Sequence, residues 1–232
     1  MSVYPALVLQ PRAQTAKAEE TRTRILDTAL RLFRERGFER TTMRDVASEA
    51  GVATGAAYYY FRSKEELVMA FYLRTAEMER DEFAAALAST KDLRKRLRAL
   101  IEIKLQQFED HRSLLTALLK AGVDPRDPLS PFGEQTAPVR EQSLAWFARA
   151  VEGSDVKVPK DIAPQLPRLL WLYHMGLIYF WIVDTSPGQR RTRKLIDGTL
   201  DLIMQLLRIA SLPLMGPVRK RALNVLKAVG EE

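Results

Sequence analysis

Between Thr41 and Leu67 the chain reads TTMRDVASEAGVATGAAYYYFRSKEEL, and no other stretch restricts its fold so tightly. Thr42 is a good helix N-cap, and Val46, Ala47 and Ala50 follow at helical spacing. Gly51 then fits the position after a helix, where a left-handed backbone suits glycine. Val52 would plug the corner. A second helix runs from about Ala53 or Thr54 to Phe61, only two turns, too short to persist without packing. Its small residues Gly55, Ala56 and Ala57 leave little bulk between the backbone and whatever lies against it. Ser63 is another N-cap, and Glu66 three residues on completes a capping-box pattern. Two short helices hinged at a glycine form a helix-turn-helix, which lays its second helix in the major groove of DNA.

The residues around that corner carry matching chemistry. Tyr58 and Tyr59 offer flat rings with hydroxyl donors suited to phosphate oxygens or base edges. Lys64 falls in the first turn of the next helix, where the helix dipole favours anions. A phosphate there would be attracted by both the ammonium and the dipole.

Residues from about 20 to 67 resemble the DNA-binding domain of the TetR (tetracycline-repressor) family of bacterial regulators. The matching marks are the Ile25, Ala29, Phe33 face ending at Gly37-Phe38, then Thr41-Thr42, Val46-Ala47, Ala50-Gly51-Val52, Gly55, Tyr58, Phe61 and Ser63 to Leu67. The resemblance implies that Thr42, Tyr58, Tyr60 and Lys64 touch phosphates. It also implies that Arg44, Thr54, Ala56 and Tyr59 face the groove, with Gly55 among the DNA-binding residues. Three positions depart from the family pattern. Ala53 stands where serine is frequent, so a cap is lost or passed to Thr54. Ala56 replaces a hydroxyl residue and Ala57 a larger apolar one, which alters the base contacts and not the fold. Paired amphipathic helices also occur in helical proteins that never meet DNA. The tyrosine cluster, the capped lysine and the preceding helix in register argue against that alternative.

Charge does not mark this region. The chain of 232 residues carries a formal net charge of +7, yet residues 18–66 hold nine Lys/Arg and nine Asp/Glu. DNA affinity therefore rests on aimed donors such as Arg44, Tyr58 and Lys64. Arg22, Arg24, and Arg12 and Lys17 on the N-terminal arm would add salt-sensitive phosphate contacts. The absence of cysteine excludes disulfides, thiolate metal sites and cysteine nucleophiles. Two histidines and scattered carboxylates give no metal-ligand spacing and no triad, so neither an enzyme nor a cofactor is expected. Asp124 and Asp127 flank a proline and read as turn residues. No signal peptide is evident at the N-terminus, which suits a cytoplasmic protein.

The rest of the chain reads as helix broken by Pro and Gly, which makes the fold class all-α. The expected organisation is a flexible arm at 1–18, the helix-turn-helix domain at 19–66 and a helical ligand-binding and dimerisation domain at 67–232. Helices are expected near 20–36, 64–88, 91–110 and onward to Ala121, 139–152, 161–184, 188–210 and 216–229. A Pro/Gly loop spans 122–138.

The apolar run from Leu169 to Val183 falls short of the ~20 residues a bilayer requires, and His174 interrupts it. No membrane span is expected, so this helix must be covered on both faces. A stripe at Leu195, Ile196, Thr199, Leu202, Ile203, Leu206 and Leu207 matches it. Helices near 161–184 and 188–210 would then pair with a second copy as a four-helix bundle. The family resemblance implies the same homodimer, whose recognition helices must sit about 34 Å apart to read successive grooves of a palindromic double-stranded operator. It also implies an interior pocket for a small-molecule inducer or co-repressor. The candidate lining is Phe108, His111, Leu115, Trp146, Phe147, Trp171, His174 and Met175, suited to a hydrophobic or aromatic molecule. The expected function is a repressor released by such a ligand. The competing reading is a helical small-molecule binder whose helix-turn-helix is only structural.

Overall fold

The computed structural model describes residues 16–119, 122, 124 and 126–230, the side chains of 226, 227, 229 and 230 excepted. Arg12 and most of the expected arm lie outside the described residues, as do 120–121 and the side chain of Val229. Among the described residues ten α-helices follow in order: α1 Ala16–Arg36, α2 Met43–Glu49, α3 Thr54–Tyr60, α4 Lys64–Ser89, α5 Leu93–Phe108, α6 Arg112–Leu118, α7 Ala137–Glu152, α8 Leu166–Val183, α9 Arg190–Ala210 and α10 Gly216–Gly230. No strand occurs among the described residues. Ala16 to Ala18, expected in the arm, already belong to α1. The chain divides into two compact units, residues 1–70 and 71–232, so the division falls inside α4.

The first unit is built on the inner face of α1. Ile25, Ala29, Leu32 and Phe33 recur at helical spacing and are fully buried, with Val46, Ala57, Phe61 and Leu67. Gly37 (φ +86°) and Gly51 (φ +66°) take left-handed backbone just after α1 and α2, a conformation glycine adopts without a Cβ clash. Thr41 is buried, and its hydroxyl donates to the Gly37 carbonyl at 2.9 Å, closing the turn.

In the second unit α7 packs on α8, and α5 meets α7, α8 and α9. Leu97, Leu100, Ile101, Trp146, Phe147, Leu170 and Ile178 form the interior. A 3-10 turn at Glu109–His111 separates α5 from α6. Two arginines, Arg96 buried and Arg112 half-buried, close helix ends. The Arg96 guanidinium donates to the carbonyls of Arg149 at 2.9 Å and Gly153 at 2.6 Å, where α7 stops. Arg112 does the same for the end of α8, donating to Ile182 and Asp184 carbonyls. The Gly153, Ile182 and Asp184 carbonyls are of the kind that a helix terminus leaves unpaired, while the Arg149 carbonyl also accepts from the Gly153 N–H. Asp184 joins α8 to α9 by accepting from the Ser186 N–H and from the Thr192 N–H and hydroxyl. Burial alone would raise its carboxyl; these bonds overcome that and hold it well below the usual range.

By length and composition α8 could cross a membrane, with 18 residues of mean hydropathy 1.3. Its inner face is nevertheless core, with Leu170, Trp171, His174, Ile178 and Trp181 all buried. The outer face shows Leu169, Leu172, Phe180 and Val183, with Gly176 between them and nothing within 4 Å of where a Cβ would sit. The stripe on α9 also splits. Ile196, Leu200 and Leu207 point inward, whereas Leu202, Leu206 and Ile209 are exposed. Arg94 pairs with Asp201 at 2.5 Å, and Tyr173 meets Thr199 at 2.6 Å, which ties α9 to α5 and α8. Helix α10 is held to the body by Arg219, which pairs with Asp161 at 2.8 Å and donates to the Ala210 carbonyl.

Candidate nucleic-acid interface and interior cavity

The corner between α2 and α3 is built locally. Thr42 and Asp45 form a complete capping box: the Asp45 N–H donates to the Thr42 hydroxyl oxygen at 3.1 Å, and the Thr42 N–H donates to the Asp45 carboxylate at 2.8 Å. Bonds from the Thr42 hydroxyl, then from its backbone, hold the Asp45 carboxyl below its ordinary range. Ala53 stands at the N-cap of α3 without a side-chain bond, so the cap is lost and not transferred to Thr54. The helix is held instead by burying Ala57 completely and by Phe61 beyond its end.

With Ala57 turned inward, Thr54, Gly55, Tyr58 and Tyr59 lie on the solvent side, Tyr58 48% and Tyr59 79% exposed. Tyrosines this exposed on a two-turn helix contribute little to the core and present donors outward. Tyr60 is half-buried and meets the Tyr59 ring edge-on at 5.3 Å. Ala56 is half-buried, and Thr42 and Arg44 are exposed at the start of α2.

Lys64 has a local role that its position in the sequence did not reveal. Its ammonium donates to the Phe38 carbonyl at 2.7 Å and lies 4.4 Å from the centre of the Phe38 ring, pinning the α1–α2 turn to the start of α4. Three N–H donors leave room for a further acceptor. Arg22 stacks over Phe61 at 4.9 Å, and Arg24 donates to the Ala50 carbonyl at 3.2 Å. The expected second capping box is shifted: Glu66 N–H donates to Ser63 Oγ at 3.3 Å, while the Glu66 carboxylate accepts from the Arg62 N–H.

In the second unit, residues of α4 to α8 with Leu129, Pro131 and Thr136 line a half-open cavity of about 120 Å³. Phe108, Leu115, Trp171, His174 and Met175, five of the eight candidate lining residues, stand in its wall. His111 stacks on Phe71 at 4.5 Å, Trp146 on Phe83 at 5.4 Å, and Phe147 packs behind His174 at 5.5 Å; these three lie outside the wall. Aromatic spacing on a helix identifies the inner face and not which inner residues border a void. The wall also contains polar groups that periodicity did not single out, among them Lys104, Tyr72, Thr136, Arg140, Ser143 and Tyr179.

Lys104 is the most consequential of these. Its ammonium pairs with the Glu79 carboxylate at 2.6 Å, with the side chains 9% and 2% exposed, and sits 5.1 Å from the Phe108 ring. Burial pushes Glu79 up and Lys104 down, each opposed by the charge of its partner. The signal was available: Lys104 stands four residues from both Leu100 and Phe108, on the apolar stripe of α5. His174 is 5% exposed, and neither ring nitrogen has a hydrogen-bond partner among the described residues. Burial, with Lys104 adding a smaller repulsion, lowers its pKa to about 3, so the imidazole is neutral at physiological pH. Among the described residues, no group of three or more His, Asp or Glu side chains could hold a metal ion.

A helix-turn-helix unit followed by a helical unit with an interior cavity is the build of a DNA-binding transcriptional regulator. The chain belongs to the TetR family. Residues 25–71 match the bacterial regulatory proteins of the tetR family, and residues 96–220 match the tetracyclin repressor-like C-terminal domain. It is 36% identical over 204 residues to the HTH-type transcriptional regulator TtgR of Pseudomonas putida, covering 83% of this chain and 95% of TtgR. The match to the HTH-type regulator YerO of Bacillus subtilis is 32% over 111 residues, 47% of this chain and only 38% of YerO. Among solved structures, a TetR regulator from Nitrosomonas europaea superposes with a TM-score of 0.61 at 20% identity, over 79% of this chain and 97% of the other. The all-α fold and the regulatory class follow, and the family consists of regulators and not enzymes.

Proposed function

We propose that this chain is a ligand-responsive repressor that binds a palindromic operator as a homodimer and releases it when a small molecule fills the cavity of the second unit. The observation that carries the reading is the solvent face of α3. Thr54, Gly55, Tyr58 and Tyr59 project outward from a helix whose opposite side is anchored by Ala57. Arg44 and Thr42 on α2 add an aimed cation and a hydroxyl. Lys64 keeps one donor for a phosphate while it clamps Phe38. The exposed apolar faces of α8 and α9 support dimerisation, because a monomer rarely leaves such a stripe in water. The ligand acts by population shift: for a near-complete switch it must prefer the non-binding spacing by about 5 kcal/mol. Helix α4 starts at Lys64 in the DNA-binding unit and carries Glu79, whose partner Lys104 lines the cavity, which makes it the lever.

The test is fluorescence anisotropy with duplex fragments from upstream of the protein's own gene at two salt concentrations. Tight, salt-sensitive binding to one palindromic fragment is expected. Arg44→Ala and Tyr58→Phe each weaken it about tenfold with melting temperature and oligomeric state unchanged. Equal weak affinity for every fragment, unaltered by either substitution, would refute the DNA-binding assignment and favour the small-molecule binder with a purely structural helix-turn-helix.

A further inference from the structure

We infer that the cavity of the second unit takes an apolar organic acid, whose carboxylate pairs with the Arg140 guanidinium while its hydrocarbon or aromatic body lies against Phe108, Trp171 and Ile178. This rests on the reading above that a small molecule fills this cavity, and adds the chemistry that molecule must carry.

The geometry of Arg140 carries the inference. It stands on α7 in the cavity wall and is half-buried. Its Nη1 donates to the Pro131 and Gly133 carbonyls, each at 2.9 Å, and Pro131 itself borders the cavity. Both acceptors are neutral, and no carboxylate pairs with Arg140 among the described residues. Nη1 is the nitrogen on the Cδ side, so the Nε–Nη2 edge is what remains. That edge presents two N–H donors side by side, the arrangement that grips both oxygens of a carboxylate. Neither nitrogen is bonded or sealed from the surface. Two carbonyls already fix the guanidinium, so little side-chain freedom is lost when a ligand arrives.

The rest of the wall agrees. It contains two cations, Lys104 and Arg140, and no Asp or Glu. Lys104 is answered at 2.6 Å by Glu79, which lies outside the wall, so the unanswered charge belongs to Arg140. The hydroxyl protons of Thr136 and Ser143 are spent on backbone carbonyls. The Tyr72 and Tyr179 hydroxyls have no partner among the described residues and keep accessible surface. Burial raises both phenol pKa values, so each keeps a proton to donate. The unspent polar groups of the wall all offer donors, and none is an anion. A cationic ligand would find no counter-charge, and a neutral one would leave that of Arg140 unanswered.

Burial sets the orientation. Phe108, Trp171 and Ile178 are buried, whereas Arg140 is half-buried. A carboxylate at Arg140 keeps part of its hydration, so the pair escapes the full desolvation penalty of a deep ion pair. The apolar body gains by leaving water for the inner wall. Because the cavity is half-open, the wall selects the head group and not the length of the body.

Calorimetry with 4-butylbenzoate, 4-butylbenzamide and 4-butylbenzylamine on the purified full-length protein at neutral pH tests this, since the three share a body and differ in head-group charge. The acid is expected to bind roughly tenfold tighter than the amide, and the amine weakest. Arg140→Gln is expected to bring the acid down to the level of the amide and leave the amide unchanged, so the amide reports an intact cavity. Arg140→Lys keeps the charge without the fork and is expected to retain part of the preference; it decides the matter where Arg140→Gln loses the amide as well. Equal affinity of acid and amide in the wild-type protein overturns the inference. So does a preference undiminished in either variant, tightest binding of the amine, or binding of none of the three. Amide binding without acid preference would leave the effector cavity standing. An acid that binds through Arg140 and does not release the upstream DNA fragment would uphold the inference and refute the effector reading.

Discussion

The buried pair of Glu79 and Lys104 gives the sharpest quantitative test of the second unit. Lys104→Met removes the ammonium and nearly conserves volume, leaving a Glu79 side chain 2% exposed with no counter-charge. The other Glu79 oxygen, Oε1, already has no hydrogen-bond partner among the described residues. Stranding a carboxylate in that position costs about 3–5 kcal/mol, partly met by protonation, since burial already pushes Glu79 upward. Glu79→Met strands the ammonium instead. Lysine loses its charge more readily when buried, so the cost is expected near the lower end of the same range. The double variant removes both desolvation penalties and fills the space with thioethers. Its stability is expected within about 1 kcal/mol of wild type. The double-mutant cycle therefore returns a coupling of about 3 kcal/mol or more. Urea unfolding at a fixed protomer concentration measures all four proteins, because oligomeric chains unfold with concentration-dependent midpoints. Single variants that each cost under about 1 kcal/mol would show that water reaches the pair. A double variant as unstable as the sum of the singles would show that the two residues act independently. Either result refutes the reasoning.

Two further outcomes follow from particular side chains. Leu206→Glu, on the exposed face of α9, would place two unpaired carboxylates at the proposed two-fold interface and is expected to weaken self-association at least about 100-fold; sedimentation should show monomer with unchanged circular dichroism, and a persistent dimer would move the interface elsewhere. His174 titrates near 3 in the folded protein against 6.5 unfolded, so below pH 6.5 the unfolded chain binds the proton first. The contribution is complete above pH 6.5 and lost as pH falls towards 3, about 3 kcal/mol by pH 4. The urea midpoint of His174→Phe should fall less between pH 7 and pH 4 than that of wild type, and parallel slopes would refute this.

How much was legible in the chain depended on how local the determinants were. The Thr42 cap, the left-handed Gly51 and the short α3 are set by neighbours within a few residues, and all are visible in the sequence. The role of Lys64 was not, because its partner Phe38 lies 26 residues away. The same holds for the cavity. Periodicity grouped Phe108, Leu115, Trp171, His174 and Met175 with Trp146 and Phe147, and only packing decides which of them border a void. The pairing of Lys104 with Glu79 needed a different question. A lysine on an apolar stripe is a misfit, and it announces a buried partner on another helix.

The bare backbone at Gly176 has a consequence for how such a regulator keeps its own counsel. In a dimer built through the outer face of α8, a glycine between Leu172 and Phe180 lets the facing helices approach more closely than any larger residue would allow. A chain of the same fold with a leucine at that crossing would be held off by its own bulk. If the proposed dimer crosses at this point, one missing side chain would disfavour mixed dimers with chains that carry a bulky residue there.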